Sequence, residues 1–284
     1  MSNIDVRKLQ LFQLEVFKEV DRICRSNNIK YFMIGGTLLG AVRHKGFIPW
    51  DIDVDIAMFR DDYNRFTECC KSNLTDKYFL QNYQTDIDYF PSLTHICMNN
   101  TFTELAHSNH LQYHKGIHID IFPLDNVANN EKERNKQKKL LAFIDRIKIM
   151  KASYIYDSGL FGCKVIIKRS LRSLMAPIPL KWLNSIREKI MTEHANKETK
   201  FVCSTASHYG YDKQVMEREI YGTPILLEFE DAMYFAPQKW DEYLTRIYGD
   251  YMTPPPIEKR IEMKDYFSKV IFDCQLDKKA AISN

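Results

Sequence analysis

From Trp50 to Met58 the chain reads Trp-Asp-Ile-Asp-Val-Asp-Ile-Ala-Met, a carboxylate at every second position from 51 to 55 with aliphatic residues between. A period of two is the mark of a β-strand whose two sides meet different surroundings. Aspartate is a poor strand former while isoleucine and valine are among the best, so the aliphatic side must be buried. Asp51, Asp53 and Asp55 then share the other side, with neighbours ~6.6–7 Å apart. Like charges that close push one another toward protonation, and the run holds no lysine or arginine to answer them. A divalent cation answers them, and hard carboxylate oxygens suit Mg²⁺ or Mn²⁺. Two plainer readings compete. A solvated edge strand uses charge against aggregation, although lysine is its usual guard and Trp50 and Phe59 flank this run. An EF-hand loop needs glycine at its sixth position, where this chain has Ile56.

A second segment repeats the device. In Gly-Ile-His-Ile-Asp-Ile-Phe-Pro-Leu-Asp (116–125), Ile117, Ile119 and Ile121 face one way and His118, Asp120 and Phe122 the other. Asp120 is therefore a candidate third carboxylate from a neighbouring strand. Two acids at i and i+2 with a third alongside can hold one or two metals for in-line displacement at phosphorus. Upstream, a strand at 29–34 is expected to end in Gly35-Gly36, a tight turn opening a short helix with Thr37 near its N-cap. Backbone N–H groups freed there suit a phosphate. Glycines ahead of an Asp-x-Asp strand match the polymerase-β-like nucleotidyltransferase arrangement, with the glycines on phosphates and the acids on metal. Arg43 lies about two turns on, ~9–12 Å from the helix start, within reach of the far end of a diphosphate or of the acidic strand.

Around these motifs the pattern is ordinary. At 284 residues, 45% hydrophobic and 27% charged, the chain suits a large globular unit, and a formal charge of +3 does not indicate a nucleic-acid partner. Seven cysteines include an adjacent pair and no Cys-x-x-Cys, which reads as reduced thiol usage in the cytoplasm and not as a disulfide framework or zinc site. The start has no signal-peptide core, and no run is long enough to span a membrane. Helices are expected over 5–26, 61–71, 130–156, 163–175, 180–196 and 237–248, and further strands near 78–83 and 92–98. The fold class is α/β of the α+β kind with a mixed sheet. A nucleotidyltransferase-like catalytic core covers 1–127, and a mostly helical region, 128–284, packs on it and completes the substrate site.

With these residues assembled, the chain resembles the LicD family of phosphotransferases, to which fukutin and the fukutin-related protein belong. The likeness rests on GGTLLGAVRHKGFIPWDIDVDI (35–56), GIHIDIFPLD (116–125) and YLTRIYGDYMTPP (243–255). It implies a CDP-activated alcohol donor, phosphocholine or a polyol phosphate moved onto a glycan hydroxyl, and CMP released, in cell-surface polysaccharide or teichoic acid modification. It assigns metal to Asp53, Asp55 and Asp120, phosphate contacts to Gly35, Gly36 and Thr37, and an arginine role to Arg43. Asp120 is also the candidate general base, with His118 as the alternative. Two departures stand out: Ile52 replaces a middle aspartate common in bacterial members, and 93–98 reads LTHICM where a basic pair is usual, leaving His95 to stand in. Family acceptors are often lipid-linked, and the basic amphipathic stretch 163–175 could rest on a membrane surface from the cytoplasmic side. A nucleotidyltransferase that attaches NMP, or a non-catalytic glycan- or nucleotide-binding protein, are the competing functions.

Overall fold

The computed structural model describes residues 5–105, 112–152, 177–260 and 267–273. Helix α1 (Val6–Ser26) starts at Asp5, whose carboxylate accepts the Lys8 N–H at 3.0 Å. Its apolar stripe, including Val16, Phe17, Val20 and Ile23, is buried in the main core. The same helix also buries two glutamines, Gln10 and Gln13.

A mixed sheet forms the centre. Strands β1 (Phe32–Met33), β2 (Asp55–Phe59), β3 (Tyr78–Gln81), β4 (Thr94–Met98) and β6 (His118–Val127) lie in the order β1-β2-β6-β4-β3. The β2–β6 pair is parallel and the others are antiparallel. Helix α2 (Gly35–His44) follows β1, and α3 (Arg60–Asn73) follows β2 and packs with α1 against the sheet. A short β5 (Phe102–Leu105) pairs with β11 (Phe267–Ile271) outside this sheet.

The remaining elements are stitched to that centre. Helices α4 (Glu131–Ala152) and α5 (Leu180–Met191) pack on each other. Strand β7 (Phe201–Cys203) pairs with β6 at Asp125–Val127, and β8 (Val215–Glu217) pairs with β7. Two one-turn helices, α6 (Tyr211–Gln214) and α7 (Arg218–Tyr221), flank β8. A hairpin, β9 (Ile225–Phe229) and β10 (Ala232–Ala236), lies against α2 and β1, and α8 (Trp240–Tyr248) ends at Gly249 with φ +73°. Pro123 sits inside β6 without cost to the ladder. On that flank β4 ends opposite Ile121 and β7 begins opposite Asp125, so no partner needs the missing N–H.

Two expectations about the motif region are corrected. The acidic strand begins at Asp55, not at Asp51. Because β1 stops at Met33 and α2 starts at Gly35, 51–54 has no antiparallel neighbour there. Instead Gln10 Nε2 donates to the Asp51 carbonyl at 2.9 Å and Gln13 Nε2 to the Ile52 carbonyl at 2.6 Å, while Asp120 N–H reaches Val54 O at 2.9 Å. Thr37 is not an N-cap: α2 starts at Gly35 behind Ile34, and Thr37 Oγ1 accepts the Asp55 N–H at 2.8 Å. The stretch 163–175, Cys163 and Cys274 lie outside the described residues. Among the described residues no helix is long and apolar enough to cross a membrane, and Cys24, Cys69, Cys70, Cys97 and Cys203 are free thiols.

Candidate active site

Register brings the acids together. Asp55 on β2 is the direct partner of Asp120 on β6, and Asp120 is the direct partner of His95 on β4, which is opposite Gln81 on β3. One polar row thus crosses four strands. Asp53 enters just ahead of β2 and shares a hydrogen bond with Asp51. Burial, then the charges of Asp55, Asp51 and Asp120, pushes the Asp53 carboxyl well above its usual range. Burial and Asp120 do the same to Asp55, and burial raises Asp51. Among the described residues no lysine or arginine forms an ion pair with Asp51, Asp53 or Asp55, whereas surface acids such as Asp21 and Asp62 do find arginines.

Asp120 is set apart by imidazoles. His95 Nε2 lies 3.1 Å and His118 Nε2 3.7 Å from its Oδ1, and the two rings stack with centroids 4.1 Å apart. Gln81 fixes the arrangement. Its amide nitrogen donates to Asp86 and to the His114 carbonyl, so its oxygen is the acceptor for His95 Nδ1 at 3.1 Å and the Cys97 thiol at 3.2 Å. His118 donates through Nδ1 to the Gly116 carbonyl at 2.9 Å, and burial, reinforced by His95, pushes it down to about 4. Its Nε2 therefore turns a lone pair toward Asp120. Burial alone would raise Asp120, but the charge and hydrogen bond of His95 outweigh this and lower it. Its surroundings therefore move Asp120 away from the near-neutral range that suits a general base, the role expected of it from sequence. His95, Cys97 and His118 also bring one donor atom each within 4.8 Å of one another, a group that could hold a metal ion. Burial raises the Cys97 thiol well above its usual value, which keeps it protonated.

The glycines are explained by these carboxylates. Gly35 has φ +53°, and a Cβ there would come 3.0 Å from Asp55 Oδ2; one on Gly36 would collide with Asp51 Oδ2. Gly35 N–H points to the Tyr243 hydroxyl at 3.3 Å. Gly36 lines a cavity, but Thr37 is buried beneath it with its oxygen already accepting from Asp55. Arg43 reaches the same cavity from the end of α2, its Nη1 donating to the Tyr251 carbonyl at 2.9 Å.

Two cavities meet at the acids. The smaller, about 370 Å³, is lined by Asp51, Asp53 and Asp55 with Trp50, Tyr209 and Tyr248. Those two tyrosine hydroxyls are hydrogen-bonded to each other. The larger, about 610 Å³, reaches Asp53, Asp120, His95 and His118 and has Lys148 and Arg187 on its wall. Ile52, Asp53 and His208 border both. His95, His208 and Lys148 were not singled out from sequence as site residues. The departure at 93–98 pointed to His95; nothing in the local pattern marked the others.

A mixed sheet that presents paired acids beside a glycine-initiated helix defines the nucleotidyltransferase class of fold. A family model described as the LicD/FKTN/FKRP nucleotidyltransferase domain matches residues 28–149. The lipopolysaccharide cholinephosphotransferase LicD of Haemophilus influenzae is 30% identical over 260 residues, covering 91% of this chain and 95% of that protein. The human ribitol 5-phosphate transferase FKRP is 26% identical over 113 residues, 38% of this chain and 19% of that protein. An uncharacterised Rickettsia prowazekii protein is 29% identical over 147 residues, 43% of this chain and 53% of that protein. The chain belongs to the LicD family and is an enzyme of the phosphotransferase class.

Proposed function

We propose that this protein transfers a phospho-alcohol, phosphocholine or a polyol phosphate, from a CDP-activated donor to a glycan hydroxyl and releases CMP. The observation that carries the reading is the convergence of Asp53, Asp55 and Asp120, none paired with a lysine or arginine among the described residues, on the walls of two adjoining cavities. Relatives named for cholinephosphate and ribitol phosphate transfer support the class of group transferred.

The donor set fits a divalent cation. Asp120 works against the ionisation of Asp53 and Asp55, imidazoles face Asp120 Oδ1, and among the described residues no ammonium or guanidinium pairs with the three acids. Asp53, Asp55 and Asp120 would hold Mg²⁺ or Mn²⁺, which when bound supplies positive charge against the diphosphate and the leaving phosphate. Thr37 fixes Asp55 through its backbone, and Gln10 and Gln13 fix the segment that carries Asp53. His95 orients Asp120. Gly35 and Gly36 leave the acids room to converge, and Gly36 and Arg43 place an N–H-rich helix start and a guanidinium beside the diphosphate. Two cavities that share Asp53 give donor and acceptor separate rooms beside the acids. The acceptor is a glycan, which we place at the cytoplasmic face of the membrane on a lipid carrier.

Incubation with CDP-choline, CDP-ribitol, CDP-glycerol and ATP, with a glycan acceptor, tests the reading through the nucleotide released. CMP from a CDP-alcohol is the expected product. Pyrophosphate from ATP with no CMP from any CDP-alcohol would move the protein to NMP transfer.

A further inference from the structure

Lys148 on α4 is 1% exposed, yet its side chain lines the larger cavity. An ammonium has three N–H donors. Lys148 places one on Ser92 Oγ at 2.8 Å and rests over the Phe90 ring, 4.9 Å from its centroid. Among the described residues no carboxylate lies within ion-pair distance of it, because the acids nearby are engaged elsewhere. Asp145, one turn earlier, accepts Arg187 Nε at 2.6 Å and Nη2 at 3.1 Å, and Glu188 accepts Arg60 at 2.5 Å. A buried cation without a partner is costly, and a methionine would fill the same volume without that cost. Burial, with the Arg187 charge adding to it, pushes the amine down to about 7 against the pull of Asp145 and Glu188. Among the described residues the fold gains from this charge only the Ser92 hydrogen bond and the Phe90 ring contact. What the ammonium lacks is an anion, and the cavity is where one can enter.

We propose that Lys148, positioned by Ser92 and Phe90, binds the phosphate of a substrate in the larger cavity, forming an anion subsite distinct from the carboxylates. The inference deepens the proposed function but rests on the cavity and its lysine, so it stands even if the donor is not a CDP-alcohol. A phosphate diester in that position has two sources: the diphosphate of the donor, or a phosphate carried by the acceptor glycan.

Calorimetric titration of the whole protein with two probes separates the sources. CDP-choline represents the donor, and sulfate, added over saturating CDP-choline, represents an acceptor phosphate. Both keep their charge between pH 6 and 9, so pH dependence belongs to the protein, where Asp145, Glu188 and Arg187 face Lys148 and the three histidines His95, His118 and His208 share the cavity. The expected result is tighter binding of one probe at pH 6 than at pH 9. Lys148→Met should weaken that probe tenfold or more at pH 6 and flatten its pH dependence, while the melting temperature holds or rises. Lys148→Arg should recover part of the affinity. A loss confined to CDP-choline assigns the subsite to the donor, and a loss confined to sulfate assigns it to the acceptor. Unchanged affinity for both probes overturns the proposal. Should the variant not fold, acetylation of wild-type Lys148 by acetic anhydride at pH 7.5 decides the matter: slowing by either probe is expected, and identical rates with and without both probes overturn it.

Discussion

Strand β6 carries two aspartates five residues apart, half-buried Asp120 and buried Asp125, in opposite electrostatic circumstances. An odd separation turns them to opposite faces of the strand. Asp125 is 1% exposed and bidentately bound to Arg60, at 2.6 and 2.8 Å, while Arg60 also holds Glu188. Burial works against the Arg60 guanidinium, but Asp125 outweighs it and keeps it firmly charged. Asp120, by contrast, faces Asp55 on one side and imidazoles on the other, with no lysine or arginine. The chain therefore balances charge where β6 ties α3 to α5 and leaves it unbalanced where β6 meets the cavities. A cluster left unbalanced at that cost to stability is best explained by a visiting counter-charge.

The contrast can be broken by substitution. Asp125→Ala takes the bidentate partner from buried Arg60 and leaves it Glu188 alone, and a stability loss of about 3 kcal/mol is expected in denaturant unfolding; a loss near zero would mean the balanced cluster is not structural. Asp53→Asn should do the reverse, lowering CMP release by at least about 10²-fold while the melting temperature stays or rises, since one like charge leaves the group. The pH dependence sharpens this further. Because the folded carboxyl of Asp53 is raised above its unfolded value, the native state holds more protons above the ordinary carboxylate range. Stability from that proton is complete at low pH and is lost as pH rises through the raised value. The advantage of Asp53→Asn over wild type should therefore grow from pH 4 to pH 8 in metal-free buffer; an advantage that shrinks would reverse the sign of the coupling. The smallest effect concerns support: Thr37→Val removes the acceptor for the buried Asp55 N–H, with an expected loss of about 1–3 kcal/mol.

The juxtaposition of Asp55 and Asp120 was legible because alternation at period two is a local property, and each strand displays it by itself. The glycines were legible as a pair, though their main steric reason, the nearness of Asp51 and Asp55, is a long-range fact. What escaped notice depends on partners distant in sequence. Gln10 and Gln13 look like the polar side of a helix until Asp51 and Ile52 supply carbonyls for them. The acidity of Asp120 depends on His95, twenty-five residues earlier and directly across a strand boundary. Strands β7 and β8, three residues each, are too short to show a period, so their joining to β6 could not be read. Lys148 sits in a helix dense with lysine, and only burial distinguishes it from its neighbours.

Calorimetric titration of Mn²⁺ onto the wild type, Asp53→Asn and Cys97→Ala tests most directly whether the carboxylates hold a cation together. The expected outcome is binding to the wild type and Cys97→Ala alike, and at least about tenfold weaker binding to Asp53→Asn. Binding that survives in Asp53→Asn and vanishes in Cys97→Ala would transfer the ion to His95, Cys97 and His118 and contradict the account.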